Sequence, residues 1–317
     1  MKRLTVAIAA RNNQGTIADC ISSCSGLDCD IVVGDMGSSD ETASVADSMG
    51  VKVVELEFLD DHSSCKNRLI ESLKTEWVLF LNGNESIARG GQRISEFFEG
   101  SSRRVQLLQS QVLTKPTRLI RLESGLRFCN PVFEHVDASE DVCDLYIKSV
   151  TVDCHDENAR IVRSWMRSKP LAVQPHYYMS CIHLARGSYQ DFVKTSNHYL
   201  FLEKSKGPSY YMTKYYLSMV CAYHLKDYQQ SCRHAMECVA DKPTMSEYWC
   251  MMGDCYYSLD RFDKAYEFYE NALILGSKRL RNDPMPVHLD KYKSHPTTMM
   301  ESCRKALGCS RVFAPSR

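Results

Sequence analysis

Short apolar runs alternate with amphipathic stretches through the first quarter of the chain. Leu4–Ala10 is a nearly continuous apolar run of strand length, and the polar loop Asn12-Asn13-Gln14-Gly15 separates it from a short helix predicted over Thr16–Cys24. A second strand follows at Asp30–Gly34, then the turn Asp35-Met36-Gly37-Ser38-Ser39-Asp40, then a helix over Glu41–Met49. Ser39 or Asp40 is placed to cap that helix, because short oxygen-bearing side chains accept its first free amide hydrogens. The pattern continues with a strand at Val51–Phe58, a helix at Ser63–Leu73 and a strand at Glu76–Leu81. This alternation predicts an α/β domain with a mostly parallel, Rossmann-like sheet. Such sheets bind ligands beyond the carboxyl ends of their strands, which places Ala10–Asn13, Asp35–Asp40, Asp60-Asp61 and Asn82–Glu85 along one edge.

Near residue 165 the pattern changes to long helical stretches rich in Tyr, Met, Leu and Cys. An offset of 34 residues pairs Tyr215 with Trp249, Tyr223 with Tyr257, Leu225 with Leu259 and Tyr228 with Phe262. Gly253, Tyr256, Ala265, Tyr269 and Ala272 fall where a tetratricopeptide repeat puts its small and aromatic packing residues, and 34 is the period of that repeat. His176–Lys204 reads as an earlier, divergent hairpin, Leu289–Leu307 as a capping helix and Arg311–Arg317 as a frayed end. The expected organisation is a 1–160 α/β domain followed by an all-α, repeat-like domain over 165–310. About three stacked hairpins are expected, since each needs a neighbour to cover its apolar face. Their concave surface is suited to an extended partner or to self-association.

Charge changes this picture little. Lys plus Arg and Asp plus Glu each number 39, so no global field draws the chain to nucleic acid or an anionic membrane. Residues 89–127 nevertheless hold eight basic against three acidic side chains, and 278–317 hold nine against three, which leaves a polyanion such as DNA open. The 44% hydrophobic and 25% charged residues argue against a disordered or fibrous chain. No apolar stretch nears the ~18 residues of a membrane helix. Met1-Lys2-Arg3 before the first apolar run faintly imitates a leader, but Arg11-Asn12-Asn13 cuts the run short, so it is read as a strand. The 15 cysteines lack zinc-binding spacing and read as reduced, mostly buried thiols, which gives a cytoplasmic expectation.

Four blocks together resemble the inverting nucleotide-sugar glycosyltransferases of family 2, with the GT-A fold, and more narrowly the branch in which tetratricopeptide repeats follow. They are Arg11-Asn12-Asn13 after the first strand, Val33-Gly34-Asp35-Met36-Gly37-Ser38-Ser39-Asp40-Glu41-Thr42, Asp60-Asp61-His62-Ser63-Ser64-Cys65-Lys66-Asn67, and Trp77–Leu81 leading into Asn82-Gly83-Asn84-Glu85. Arg118–Arg121 and Arg127–Glu134 resemble the acceptor-side segment more loosely. The resemblance implies transfer from a nucleotide-diphosphate donor, of the uridine type, to an acceptor nucleophile. A protein or peptide, a saccharide precursor and a hydroxylated base of modified DNA are all acceptors to be considered.

Asp35 resembles the carboxylate that accepts hydrogen bonds from the donor's base, with Arg11 and Asn12 lining the same pocket; its plain alternative is a turn-forming Asp beside Gly37. Ser38 and Asp40 join the donor set or simply cap the helix. Lys66 and Asn67 stand where the family has Arg-Asn and are expected at the nucleotide or its phosphates. Asn82 and Asn84 replace the family's Asp-any-Asp, whose carboxylates hold a divalent cation, Mn2+ or Mg2+, against the diphosphate. Three outcomes follow: weak metal binding through Asn84, Glu85 and His155; metal-free transfer with Lys66, Arg118 or Arg121 neutralising the phosphates; or a degenerate transferase fold that serves as a scaffold. Retained activity with altered or absent metal dependence is the expectation. Glu134 is the candidate base, with His135 the alternative.

Overall fold

The computed structural model describes residues 2–136 and 141–308. Arg311–Arg317, expected to fray, lie outside the described residues. The chain divides into two units, Met1–Trp165 and Met166–Arg317.

In the first unit, β1 (Leu4–Ala10), β2 (Cys29–Asp35), β3 (Lys52–Glu55) and β4 (Trp77–Asn82) form a parallel sheet in the order β3-β2-β1-β4. The helices α1 (Ile17–Ser22), α2 (Thr42–Ser48) and α3 (His62–Glu71) connect them. All seven residues of β1 are buried, as expected of a parallel strand covered on both faces. One face of the sheet packs Val6, Ile8, Leu79 and Leu81 against Ile17, Cys20 and Ile21 of α1. The other packs Ala7, Ala9, Val78 and Phe80 with Cys65, Leu69 and Ile70 of α3. The expected strand at Val51–Phe58 is trimmed to Lys52–Glu55: beyond it Leu56 still bonds to Asp35 O and drops its side chain into the core.

Beyond β4 the sheet turns antiparallel. Here β5 (Glu85–Arg89), β6 (Arg103–Gln109), β7 (Val112–Thr114), β8 (Thr117–Arg121) and β9 (Val142–Ser149) continue it. The order runs β7-β6-β8-β4, with β9 antiparallel to β5 and parallel to β6. β8 meets β4 head to tail, Trp77 opposite Arg121 and Leu79 opposite Leu119. This register sends the two arginines of β8 to different ends of the sheet. The helix α4 (His155–Ser168) closes this region.

The second unit is built from α5 (Gln174–Ala185), α6 (Tyr189–Leu202), α7 (Pro208–Val220), α8 (Tyr228–Asp241), α9 (Ser246–Ser258), α10 (Phe262–Gly276) and α11 (Ser294–Ala306). Successive helices pack as the hairpins α5–α6, α7–α8 and α9–α10, and α11 packs on α10. Tyr215 of α7 meets Tyr248 of α9 edge-on at 6.1 Å between centroids. The face of α9 bearing Glu247 and Asp254 is covered by the chain's own residues 279–295. Glu247 accepts from Arg279, from the Tyr292 hydroxyl at 2.7 Å and from the His288 amide at 3.0 Å. Asp254 accepts from Tyr223, from Tyr269 at 2.7 Å and from His295 at 2.8 Å. Ten of the fourteen described cysteines are buried and all fourteen are free thiols.

Gly253 shows why the repeat keeps a small residue on α9: a Cβ there would lie 2.5 Å from the buried Tyr269 ring. Gly253→Ala is therefore expected to destabilise the unit by about 1–3 kcal/mol despite the better helix propensity of alanine. Chemical denaturation checks this, and an unchanged or raised midpoint would contradict the close packing.

Candidate active site

The carboxyl ends of β1, β2 and β4 bring three polar loops together. Asn12 adopts a left-handed backbone, φ 53°. Its amide donates to Ser38 Oγ at 3.0 Å, and its side-chain oxygen accepts from the Ser39 amide at 2.8 Å. Asp35, at the end of β2, is nearly buried and its carboxylate accepts from the Ser38 amide at 3.1 Å and from the Ser38 hydroxyl. That is the turn-forming arrangement, and it leaves part of the carboxylate's acceptor capacity for a ligand. Asp40 accepts from the Gln14 amide at 3.1 Å and from the Thr42 amide at 3.0 Å; the N-cap of α2 is Glu41, so neither Ser39 nor Asp40 is the cap. Burial would raise the Asp40 carboxyl, but the Thr42 hydroxyl and these amides together hold it below the usual range.

Arg11 lines the same edge. Its guanidinium donates to Gly37 O at 3.2 Å, pairs with Glu157 of α4 at 3.0 Å and lies over the Phe58 ring at 4.2 Å. The Asn82-Gly83-Asn84 turn is pinned to the end of β1 and the loop after it. Thr16 Oγ1 donates to Gly83 O at 2.9 Å, the Gly83 amide donates to Ala9 O at 2.8 Å, and a Cβ on Gly83 would fall 2.6 Å from Asn13 Oδ1. Only glycine fits that approach.

At the floor of the edge is a buried polar network. Lys66, on α3, is 1% exposed, and its ammonium donates to Asn82 Oδ1 at 2.7 Å and to the Glu134 carboxylate. The Phe80 and Phe128 rings flank it, with centroids at 5.4 and 5.2 Å. Asn82 turns its other side to Glu85: its backbone and side-chain N–H groups donate to the two oxygens of that carboxylate, each at 2.9 Å. Arg118 of β8 completes the set with a 2.9 Å pair to Glu85, which is 2% exposed. Two cations and two carboxylates thus share one buried site.

The chemistry of the pair follows from its surroundings. Burial lowers the Lys66 ammonium, and Glu134 opposes that only in part. Burial alone would raise Glu134, but the Lys66 and His62 charges outweigh it, so the carboxyl sits below the ordinary range. His62 itself is pushed down, first by burial.

Several expected site residues lie elsewhere or hold structure. Asn67 makes a two-way clamp with the Phe128 backbone, donating to its carbonyl at 2.9 Å and accepting from its amide at 2.8 Å, so its amide group is committed to the fold. Asn84 donates to Val150 O at 2.6 Å and to Ser149 Oγ. His135 bridges to Cys129 through the backbone, and its ring contacts Asn130 at 3.2 Å. His155 begins α4, its amide on Asp153. Arg121 lies opposite Trp77, at the amino end of β4, roughly 17 Å of strand from Asn82. There it pairs with Glu123 and donates to Gly100 O, so it is removed from the donor edge. His62, Phe58 and Glu157 are neighbours that the residue pattern did not single out.

The divalent cation implied by the resemblance does not fit this donor set. Asn82's oxygen is spent on an ammonium, Glu85's oxygens on Asn82 and Arg118, and among the described residues no three His, Cys, Asp or Glu side chains gather as ligands.

Comparison with known proteins agrees with the two-part chain. Residues 5–89 match the family model of glycosyl transferase family 2, and residues 246–278 match that of the tetratricopeptide repeat. The first unit thus carries a family 2 glycosyl transferase domain and the second a tetratricopeptide repeat. A TPR repeat-containing protein of Synechococcus elongatus is 25% identical over 147 residues, covering 44% of this chain and 36% of its own length. The chain therefore spans about a third of that curated relative. Among solved structures, S. aureus TarS 1-349 in complex with UDP-GlcNAc is 12% identical, covering 96% of this chain and 92% of its own, with a TM-score of 0.39. MamA from Desulfovibrio magneticus RS-1 is 21% identical, covering 50% and 87%, with a TM-score of 0.37. No helix among the described residues is long and apolar enough to cross a membrane.

The network makes two stability predictions. Arg118→Ala strands a buried carboxylate and should cost about 3–5 kcal/mol in denaturant unfolding, whereas the outlying Arg121→Ala should change stability by less than about 1 kcal/mol; equal losses would contradict the placement. Glu134, with a folded pKa below its unfolded value of about 4.3, contributes stability that is full above that pH and is lost as pH falls through the folded pKa. Glu134→Gln should therefore flatten the acid limb of the stability profile, and a limb as steep as wild type would contradict the pairing.

Proposed function

We propose that this protein transfers a sugar from a nucleotide-diphosphate donor, of the uridine type, to an acceptor hydroxyl with inversion. The observation that carries the reading is the convergence at one sheet edge of the segments matched by the family 2 model: Arg11–Asn13, Asp35–Ser38, and Asn82 over Lys66. The Asp35 carboxylate, Asn12 and Arg11 receive the base and ribose, with Ser38 and Asp40 shaping the turn that presents them. Lys66 and Arg118 face the diphosphate side.

Glu134 is the general base. The acceptor O–H gives its proton to the carboxylate, the acceptor oxygen bonds to the anomeric carbon, and the bond from that carbon to the phosphate oxygen breaks on the opposite face. The electron pair leaves with the nucleoside diphosphate. His135 is the weaker candidate, because its ring engages Asn130.

A protein or peptide, or a saccharide precursor, suits the acceptor role better than a base in duplex DNA. DNA would be held by clustered, available cations. In the two basic stretches, Arg93, Arg103, Arg118 and Arg121 are paired with carboxylates, as are Arg279 and Lys291. The helical unit supplies a partner-binding or self-associating surface in this reading, on faces other than the part of α9 covered by residues 279–295. A cytoplasmic setting goes with the reduced cysteines.

A second reading, a non-catalytic scaffold, is favoured by the closed Lys66–Glu134 pair. Calorimetry with a panel of nucleotide sugars, followed by a transfer assay, separates the two. The transferase binds a uridine diphosphate sugar and turns it over, and Glu134→Gln loses at least about 100-fold in transfer while keeping donor affinity. Turnover unchanged in that variant would remove Glu134 from the role, and absence of donor binding would leave the scaffold.

A further inference from the structure

We infer that the donor's diphosphate is met here by the chain's own Lys66 ammonium, held by the residue at the first position of the family's cation clamp, so that donor binding and transfer need no divalent metal. The inference rests on the transferase reading and deepens it.

The geometry is that of an exchange of one cation for another. The first position of the resembling motif is Asn82, and its oxygen accepts from the Lys66 ammonium at 2.7 Å. A carboxylate there would serve a metal; a carboxamide brings no charge, and here its one acceptor atom is already directed at a cation. The amide's N–H side is held by Glu85, which Arg118 holds in turn. Asn82 is thus locked in the orientation that offers oxygen to Lys66, since a flipped amide would set N–H against ammonium and carbonyl oxygen against carboxylate. The second position, Asn84, is drawn off to Val150 O and Ser149. Every polar group that would ligate a metal at the first position is committed to positioning a lysine.

The same arrangement supplies a route for the anion. Lys66 is 1% exposed and its partner Glu134 15% exposed, so of the two the carboxylate is the one that solvent reaches. A diphosphate approaching the edge takes the place of that carboxylate on Lys66. Glu134 is thereby released beside the acceptor as the base, and Lys66 offsets part of the diphosphate's charge in its place. When the anomeric carbon–oxygen bond breaks, its electron pair goes to the diphosphate oxygen facing Lys66, and the acceptor's proton goes to Glu134.

The test uses the full chain with UDP and uridine as probes, each titrated calorimetrically in excess EDTA and in excess Mn2+. UDP affinity is expected to agree within about threefold between the two conditions, a difference of well under 1.4 kcal/mol. Lys66→Met is expected to weaken UDP at least about tenfold in EDTA while leaving uridine unchanged, a contrast a merely structural loss would not produce. Should that variant fail to fold, Lys66→Arg takes its place, with UDP binding retained in EDTA. UDP affinity rising tenfold or more with Mn2+ in the wild type would overturn the inference and leave the transferase standing. Binding of neither probe in either condition would remove the transferase reading, and the inference with it.

Discussion

The site is organised around one buried ammonium. A lysine at 1% exposure is costly unless its charge is answered, and Lys66 is answered by a carboxamide oxygen, a carboxylate and two flanking aromatic rings. Those partners come from distant parts of the chain: Asn82 from the end of β4, Glu134 and Phe128 from the segment after β8, and Phe80 from the core of the sheet. Satisfying this single charge therefore fixes the sheet edge, α3 and the acceptor-side segment with respect to one another. The neighbouring Asn67 reinforces the same junction through the Phe128 backbone. A charge that would be expensive in isolation becomes the reason three loops share a geometry.

Much of this architecture was legible in the sequence, for physical reasons that vary by element. β1 is read to the residue, because a central parallel strand is apolar on both faces and its ends are marked by Lys2-Arg3 and Arg11. Within the matched repeat the small and aromatic positions are legible because Gly253 and Tyr269 pack against each other. The later strands are less legible: β5 and β7 are short and partly exposed, β8 is buried at four of its five positions and β6 pairs with three partners, so a clean period of two survives only in β9, where Cys143, Leu145 and Ile147 face inward. Lys66 was expected at the phosphates, but its burial was hidden, since a lysine on a helix reads as a solvated face. Arg118 and Arg121 look alike in sequence; only the β4–β8 register separates the one that reaches Glu85 from the one at the far end.

The helical unit follows the same economy of charge. Glu247 and Asp254 on α9 would be costly in a repeat core, yet each is met by several donors from residues 279–295 or from neighbouring tyrosines. Two basic residues of that stretch, Arg279 and Lys291, are paired with these carboxylates. A local charge excess in sequence is thus a weak guide to a polyanionic partner when the acidic complements lie far along the chain.

A crystal of the full chain soaked with UDP tests the central claim directly. The nucleotide is expected over the edge formed by Asp35 and Asn82, with its β-phosphate on the Lys66 ammonium and Glu134 swung clear of that contact. A nucleotide bound elsewhere, or held at this edge through a metal ion while Lys66 and Glu134 stay paired, would contradict it.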